Sequence, residues 1–493
     1  MFKEENGFTE LILASEDFSE EEFCRYHYFT KYEENIIDQL MAHGPVLLKG
    51  GRGTGKSALL REASNRMRKD NNDHVCGIYL SLRHLPLLRT KGAQYEKEFF
   101  VILVDKVKKI ALNDYQYDFV SGFDTYSVYQ AIIEFSEHIE KRIVFLFDDA
   151  AHIGREAGLE EFFDIFRTLS SGRVSCKAAI YPGVTKFGIR FDVYNDAKIL
   201  DISRRYGQAG FNEFFIQVLE LRMGTRMSDL CTTTFSLEQI AELLGMAVLG
   251  NVRSFIKGCS IIIDLGQKIT FSSISEVFLS LSSDFFWPMM EEVRYKLGMY
   301  EPLVDCCVEI AELIYNECGS KQTTTCIIHR SLVNKYSKPL EILEYVGFIV
   351  KKEASRGMKS GGRGTRYAVN LCNELEKVAN TRLTKDLYIK WIKTSEEDAQ
   401  FSASSVTFNS IELPDVDIDN SVGILDLDIQ KLEKSNAFPY GLTVDKINRL
   451  KEENICTVGQ LAECSKTRLK QIYMIGDAMA DRIRNTVEQA IWM

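Results

Sequence analysis

The sequence predicts an α/β fold built on a parallel sheet covered by helices, followed by smaller helical modules, one of them carrying a β-hairpin. Short apolar runs alternate with helical patterns through roughly the first two hundred residues. A glycine-rich loop joins one of these runs directly to a helix. Further on, the apolar pattern becomes almost wholly helical, interrupted by a Gly- and Arg-rich turn between two strand-like segments.

The first strand is Pro45-Val46-Leu47-Leu48, and the helix after the loop begins at Ala58-Leu59-Leu60-Arg61-Glu62-Ala63. Between them Gly50, Gly51, Arg52, Gly53, Thr54, Gly55, Lys56 and Ser57 match G-x-x-x-x-G-K-[ST], the Walker A pattern. The spacing has a physical meaning. Glycines let backbone N–H groups turn inward around phosphate oxygens, and the helix that opens at Ala58 adds the positive end of its dipole. Lys56 reaches the outer phosphates, and the Ser57 hydroxyl suits Mg²⁺. ATP and Mg²⁺ are the expected cofactors.

A chain of 493 residues that is 45% apolar has the length for about three domains with filled cores. The first residues lack the layout of a secretory signal, and no apolar run reaches membrane-span length, so a soluble cytoplasmic location without a membrane partner is expected. Twelve cysteines are scattered without a C-x-x-C pair, which points to reduced, buried thiols. A net charge of −10 excludes a protein that is basic all over, so any nucleic-acid contact must come from local patches.

A second apolar strand, Ile143 to Phe147, ends in Asp148-Asp149 about ninety residues past the loop, a Walker B arrangement. Asp148 is placed to hold Mg²⁺ through water, and Asp149 to orient the attacking water. Asp149 is one methylene shorter than the more usual Glu, which predicts slow hydrolysis and a switch rather than a motor. Val75 to Leu82, Cys176 to Tyr181 and Ala197 to Ile202 supply further strands, and Tyr95 to Leu112 a helix between them. Ligands of such a sheet bind at the C-terminal strand ends, where both motifs fall.

Together with the Phe29-Thr30 entry and the later Gly250-Asn251-Val252-Arg253, these motifs resemble the AAA+ superfamily, in particular its origin-recognition-like ATPases and their STAND-type signalling relatives. The resemblance implies an ATPase base over residues 1–205 and a helical lid over 206–268. It also implies a sensor 2 role for Arg253 at the γ-phosphate, a sensor 1 in the segment from Tyr181 with Thr185 as its polar residue, and an arginine finger acting on a neighbouring copy. Arg190 is first choice for the finger, with Arg204 and Arg205 as alternatives. Within the lid, Ser236 and Gln239 form a capping-box signal.

Residues 269–394 read as helices and a winged helix: Ser331 to Tyr345 gives helix signals broken at Pro339, followed by strands Gly347 to Val350 and Arg366 to Val369, then a helix Asn373 to Lys393. From Lys351 to Arg366 there are six basic residues, Lys351, Lys352, Arg356, Lys359, Arg363 and Arg366, against Glu353 alone. A flexible basic wing of this kind suits a DNA backbone. The stretch 395–436 is acidic and reads as a linker. Residues 437–493 resemble the C-terminal domain of the RNA polymerase α subunit, a helix-hairpin-helix relative, through Leu442-Thr443-Val444, Thr457-Val458-Gly459 and Ile475-Gly476. Gly476 is expected to permit the hairpin, with Lys470 and Arg482 flanking a DNA phosphate.

The expected function is an ATP-dependent, DNA-binding AAA+ switch of origin-recognition-like type, with nucleotide state controlling homo-oligomer assembly. The alternative is a STAND-like signalling or antiviral defence sensor that recruits an effector protein through its C-terminal domains. The ATPase motifs fit both.

Overall fold

The computed structural model describes residues 15–69, 74–82, 93–151, 156–184, 187–294, 296–393, 397–416, 427–434 and 441–492. Five parallel strands form the first sheet: β1 Val46–Lys49, β2 Val75–Ser81, β3 Arg142–Ala151, β4 Val174–Ile180 and β5 Lys198–Asp201. Their order is β2-β3-β4-β1-β5. Side chains alternate across the sheet as the two-residue period requires. Val46 and Leu48 join Val144 and Leu146 on one face, against Ile37 and Leu40 of helix Lys31–Met41 and Leu59 and Leu60 of helix Lys56–Lys69. Leu47, Phe145 and Phe147 belong to the other face, where Phe147 meets Phe99 of helix Ala93–Tyr115 and Phe162 of helix Glu156–Leu169.

Three helices follow the sheet where a lid is expected, Phe211–Leu230, Leu237–Ala247 and Val252–Leu265. Ser236 and Gln239 form the expected capping box. Asn251 caps the third lid helix by accepting the Ser254 N–H at 3.1 Å.

Helices Phe271–Leu281 and Trp287–Arg294, joined by a π-helical turn Ser282–Phe286, lead to the long helix Leu303–Lys321. A unit of two short helices and a hairpin follows: β6 Thr325–His329, helices Arg330–Lys335 and Ser337–Val346, then β7 Ile349–Gly357 and β8 Arg363–Val369. The break between the two short helices falls at Tyr336, not at Pro339, which sits in the first turn of the second helix, where its missing N–H costs nothing. The single helix expected over Asn373–Lys393 is divided into Leu371–Leu375 and Lys385–Ile392, with Asn380 left-handed at φ +67° between them.

The acidic stretch is also not a linker throughout. Ala399–Phe401 forms β9, which pairs in parallel with β6, and the buried Tyr336 hydroxyl lies 2.9 Å from the carbonyls of both Phe408 and Ile411. One apolar core runs from the sheet through the lid into this unit. Helices Val444–Glu452, Val458–Ala462, Lys466–Gln471 and Asp477–Trp492 enclose a separate core. Among the described residues no helix is long and apolar enough to cross a membrane.

Candidate functional site

The glycine loop leaves β1, which lies between β4 and β5, so its backbone is held from both sides. The Gly50 N–H donates to Ile180 O at 3.2 Å. Buried Lys56 donates to the carbonyls of Gly50 (2.7 Å) and Gly51 (2.8 Å), and its Nζ lies 3.7 Å from the centre of the Tyr181 ring. Burial pulls the Lys56 pKa down to about 7, against the opposing pull of Asp148 and Asp149. A phosphate would add its charge to that of Asp148 and Asp149 in holding the amine protonated.

At the end of β3, Asp148 is buried. It accepts the Tyr79 hydroxyl at 2.7 Å and the Asp149 N–H at 2.9 Å. The β3–β4 register shifts between Phe147 and Ala151, and Asp149 adopts φ +51°. This irregularity turns its carboxylate toward Tyr181, whose hydroxyl lies 3.3 Å away. Tyr79 and Tyr181, each on or just beyond a neighbouring strand, therefore position the two carboxylates. The sequence gives no sign of either role beyond their placement at strand ends.

A hydroxyl at the start of a helix and a carboxylate at a strand end are the donors that suit a Mg²⁺ held mainly by phosphate oxygens and water. Ser57 and Asp148 are of these types. Among the described residues no cluster of three or more His, Cys, Asp or Glu would hold a metal by itself.

The lid sits directly on the glycine loop. The Arg253 N–H donates to Gly53 O at 3.2 Å, and Asn251 Nδ2 donates to Arg52 O at 2.5 Å. A Cβ at Gly53 would come within 2.6 Å of Asn251 Oδ1 and 2.8 Å of Arg253 Cβ, so this approach needs glycine, as does the φ of +76°. Arg253 is thus brought to the loop, and its Nε is buried without a hydrogen-bond partner.

Arg204 is not free to act on another copy. It is buried, its Nε donates to Glu33 at 2.9 Å, its Nη1 donates to Thr54 O at 2.6 Å, and its guanidinium stacks 3.9 Å from Phe214. It braces the loop of its own chain from inside, which sequence alone could not distinguish from a finger. Arg205 faces Asp201 at 3.4 Å. Arg190 lies on the surface beside the fully exposed Ile189, a position open to a second molecule. Thr185 lies outside the described residues.

The winged-helix unit also reaches the loop, which the sequence did not signal. The Arg52 N–H donates to Tyr345 O at 3.2 Å, Lys338 Nζ donates to Gly183 O at 2.8 Å, and Tyr345 packs edge-on against Tyr181 at 5.0 Å. Helix Ser337–Val346 is the second of the two short helices before the hairpin. Its residues Pro339, Leu340, Ile342, Leu343, Tyr345 and Val346 are all buried in this arrangement.

The six wing cations are not equivalent. Arg366 is 9% exposed and donates to Asp398 at 2.7 Å, Glu353 at 3.1 Å and Thr325 at 3.2 Å. It belongs to the interior of the sheet and is not a DNA contact. Arg356 donates to Glu353 at 2.7 Å and lies 3.7 Å from Asp398. Lys351 and Lys352 are half-buried at the base of the hairpin. Lys359 and Arg363 remain exposed toward the tip, with Arg363 donating to Ser355 at 2.6 Å.

In the C-terminal unit the left-handed residue of the hairpin is Met474 (φ +61°), not Gly476, which has no positive φ. Lys470 pairs with Asp477 at 2.9 Å. A carboxylate at the head of helix Asp477–Trp492 stands where a phosphate would bind and takes the dipole's stabilisation itself. Arg482 is exposed.

No family model matches the chain and no curated protein matches it in sequence. Similar solved structures include Cdc6p from Pyrobaculum aerophilum (14% identity, covering 75% of this chain and 96% of that one, TM-score 0.35). The Orc1 protein of Aeropyrum pernix in complex with DNA is another (14%, 73% and 94%, TM-score 0.33). A signal transduction ATPase with numerous domains from Pyrococcus horikoshii is a third (11%, 73% and 44%, TM-score 0.29). Similarities at this level add nothing to the topology and site geometry described above.

Proposed function

We propose that this chain, with its AAA+ P-loop sheet and lid, is an ATP-operated switch whose bound nucleotide controls release of the winged helix for DNA and the assembly of copies. The observation that carries the reading is the contact between the glycine loop and helix Ser337–Val346, through the Arg52 N–H and Tyr345 O. In this reading the helix, in the recognition position, is freed for a DNA groove only when that contact is broken. A nucleotide shifts such an equilibrium only by binding one arrangement better than the other, and the loop is shared by both interactions. Lys56, Ser57 and Asp148 would hold ATP with Mg²⁺, which supplies charge neutralisation at the phosphates. Asp149, braced by Tyr181, would orient water for slow hydrolysis, and Arg190 is the candidate finger offered to a neighbouring copy.

The test is fluorescence anisotropy with duplex DNA at two salt concentrations, in ATP, ADP or no nucleotide. Binding that strengthens in ATP, weakens with salt and falls in a Lys359→Ala, Arg363→Ala double variant is the expected result. Absence of DNA binding in every nucleotide state would remove DNA from the proposal.

The burial of the recognition helix also favours a second reading, a STAND-like signalling or defence sensor that holds itself closed and recruits an effector through its C-terminal unit. Exposed Tyr473 (78%) and Met474 (70%) at that unit's hairpin are suited to protein contact. Assembly triggered by a partner without DNA would support this reading over the first.

A further inference from the structure

A cavity of about 270 Å³ opens between the glycine loop, the start of the third lid helix and the segment around the π-helical turn Ser282–Phe286. Three cations line it, Arg52, Arg253 and Lys257, together with the carboxylates Asp284 and Glu292. Arg52 Nη1 and Arg253 Nε are both buried without a hydrogen-bond partner in the chain. Buried donors are nearly always paired, so two guanidinium groups with orphaned nitrogens on one cavity point to an anion that belongs there. The nearest negative charge, Glu292 Oε1, stands 3.9 Å from Arg52 Nη1, too far for a hydrogen bond, and Glu292 is also claimed by Lys296.

The cavity borders the glycine loop at Arg52 and the lid helix at Arg253, whose N–H donates to Gly53 O at 3.2 Å. Arg52 and Arg253 both act electrostatically on Lys56, and Arg52 in turn feels Tyr345, Glu292, Tyr181 and Asp149. An anion that reached from Lys56 to the Arg52 guanidinium would meet the same nitrogen that Glu292 faces at 3.9 Å, and the two negative charges would compete for it. Glu292 belongs to helix Trp287–Arg294. The π-helical turn before that helix is tied to the winged-helix unit by Ser282 Oγ, which donates to Asn373 Oδ1 at 2.7 Å. π-helical insertions of this kind concentrate at functional sites.

We propose that Arg52 is the residue by which this chain tells a nucleoside triphosphate from a diphosphate. In this account the terminal phosphate takes the Arg52 and Arg253 guanidinium groups, and Glu292 is the internal carboxylate that competes for Arg52 when only a diphosphate is bound. The proposal rests on the nucleotide-binding reading above and extends it. The sequence places Arg52 merely as a variable position of the loop, and the competing carboxylate comes from a helix more than two hundred residues away.

The experiment is isothermal titration of the full chain with ATPγS and with ADP, each with Mg²⁺, for the wild type, Arg52→Ala, Arg52→Lys, Glu292→Gln and Lys56→Ala. The wild type should prefer ATPγS by about tenfold or more, the order expected for one charge-assisted contact. Arg52→Ala should bring the two affinities together, Arg52→Lys should restore part of the preference, and Glu292→Gln should enlarge it several-fold. Shifts of opposite sign at the two positions exclude simple misfolding as their cause. An unchanged ratio in Arg52→Ala, or a Glu292→Gln ratio that falls, would overturn the inference while leaving nucleotide binding intact. Binding of inorganic phosphate to Lys56→Ala would also overturn it, by making the cavity a separate anion site. Failure of the wild type to bind either nucleotide would instead remove the functional reading on which the inference stands.

Discussion

The basic residues around the glycine loop and those on the wing differ in what surrounds them. Lys56 is buried against carbonyls and a tyrosine ring, and Arg52 and Arg253 keep buried nitrogens without partners. On the wing, Arg366 and Arg356 converge on Glu353 and Asp398, leaving Lys359 and Arg363 toward the tip. The sequence presents the wing as the most basic segment of an acidic chain. Much of its charge is paired within the fold, while the less conspicuous cluster at the loop keeps buried nitrogens without hydrogen-bond partners. An unsatisfied buried cation is evidence of a ligand; a satisfied one is evidence of architecture.

The sharpest way to break this contrast is to remove Arg366. Arg366→Ala would leave the buried Asp398 with only the more distant Arg356 as countercharge and should destabilise the chain by about 3 kcal/mol in urea unfolding. If stability is unchanged, the wing's inner pair is not structural and the contrast fails. Removing Lys56 tests the other side. Lys56→Ala should weaken ATP binding by about 2–4 kcal/mol in calorimetry, from the loss of charge-assisted hydrogen bonds, with little loss of stability.

A pH series sharpens the same point. The free protein holds Lys56 with a pKa near 7, lowered by burial and by the cations Arg253 and Arg52, and raised by Asp148 and Asp149. Phosphate binding favours the protonated amine. Below that pH affinity should be flat with respect to this group; above it, each further unit should cost up to about 1.4 kcal/mol, because binding must first restore the proton. The smallest effect belongs to the exposed wing tip. The Lys359→Ala, Arg363→Ala double variant should change stability by less than about 0.5 kcal/mol. If DNA binds there, it should lower the slope of log affinity against log salt by about 2, seen by anisotropy.

What the sequence made legible was local. Walker A, the Asp148-Asp149 strand end, the Ser236 capping box and the lid helix starting at Val252 each depend on residues within a few positions of one another, and each is where the pattern places it. What it hid was long-range. Asp398 neutralises Arg366 from a stretch whose composition reads as a linker, because pairing of three residues with β6 leaves almost no periodicity to detect. Arg204 carries the same charge as a finger, and only its packing between Glu33 and Thr54 assigns it inward. At the C-terminal hairpin, Gly476 was the natural choice for the left-handed residue, yet Met474 bears that backbone and is 70% exposed, where tertiary packing does not oppose it.

Among the described residues the apolar core of the C-terminal helices is separate from the one that runs from the sheet to Ile411, and this has a thermodynamic consequence. Cooperativity extends only as far as shared packing, so the chain has no single melting temperature. The small C-terminal unit has its own balance of burial against chain entropy and is free to unfold and refold while the larger body stays intact. Ligand-induced stabilisation, read as a shift of one transition and not the other, would then show which of the two bodies holds the ligand.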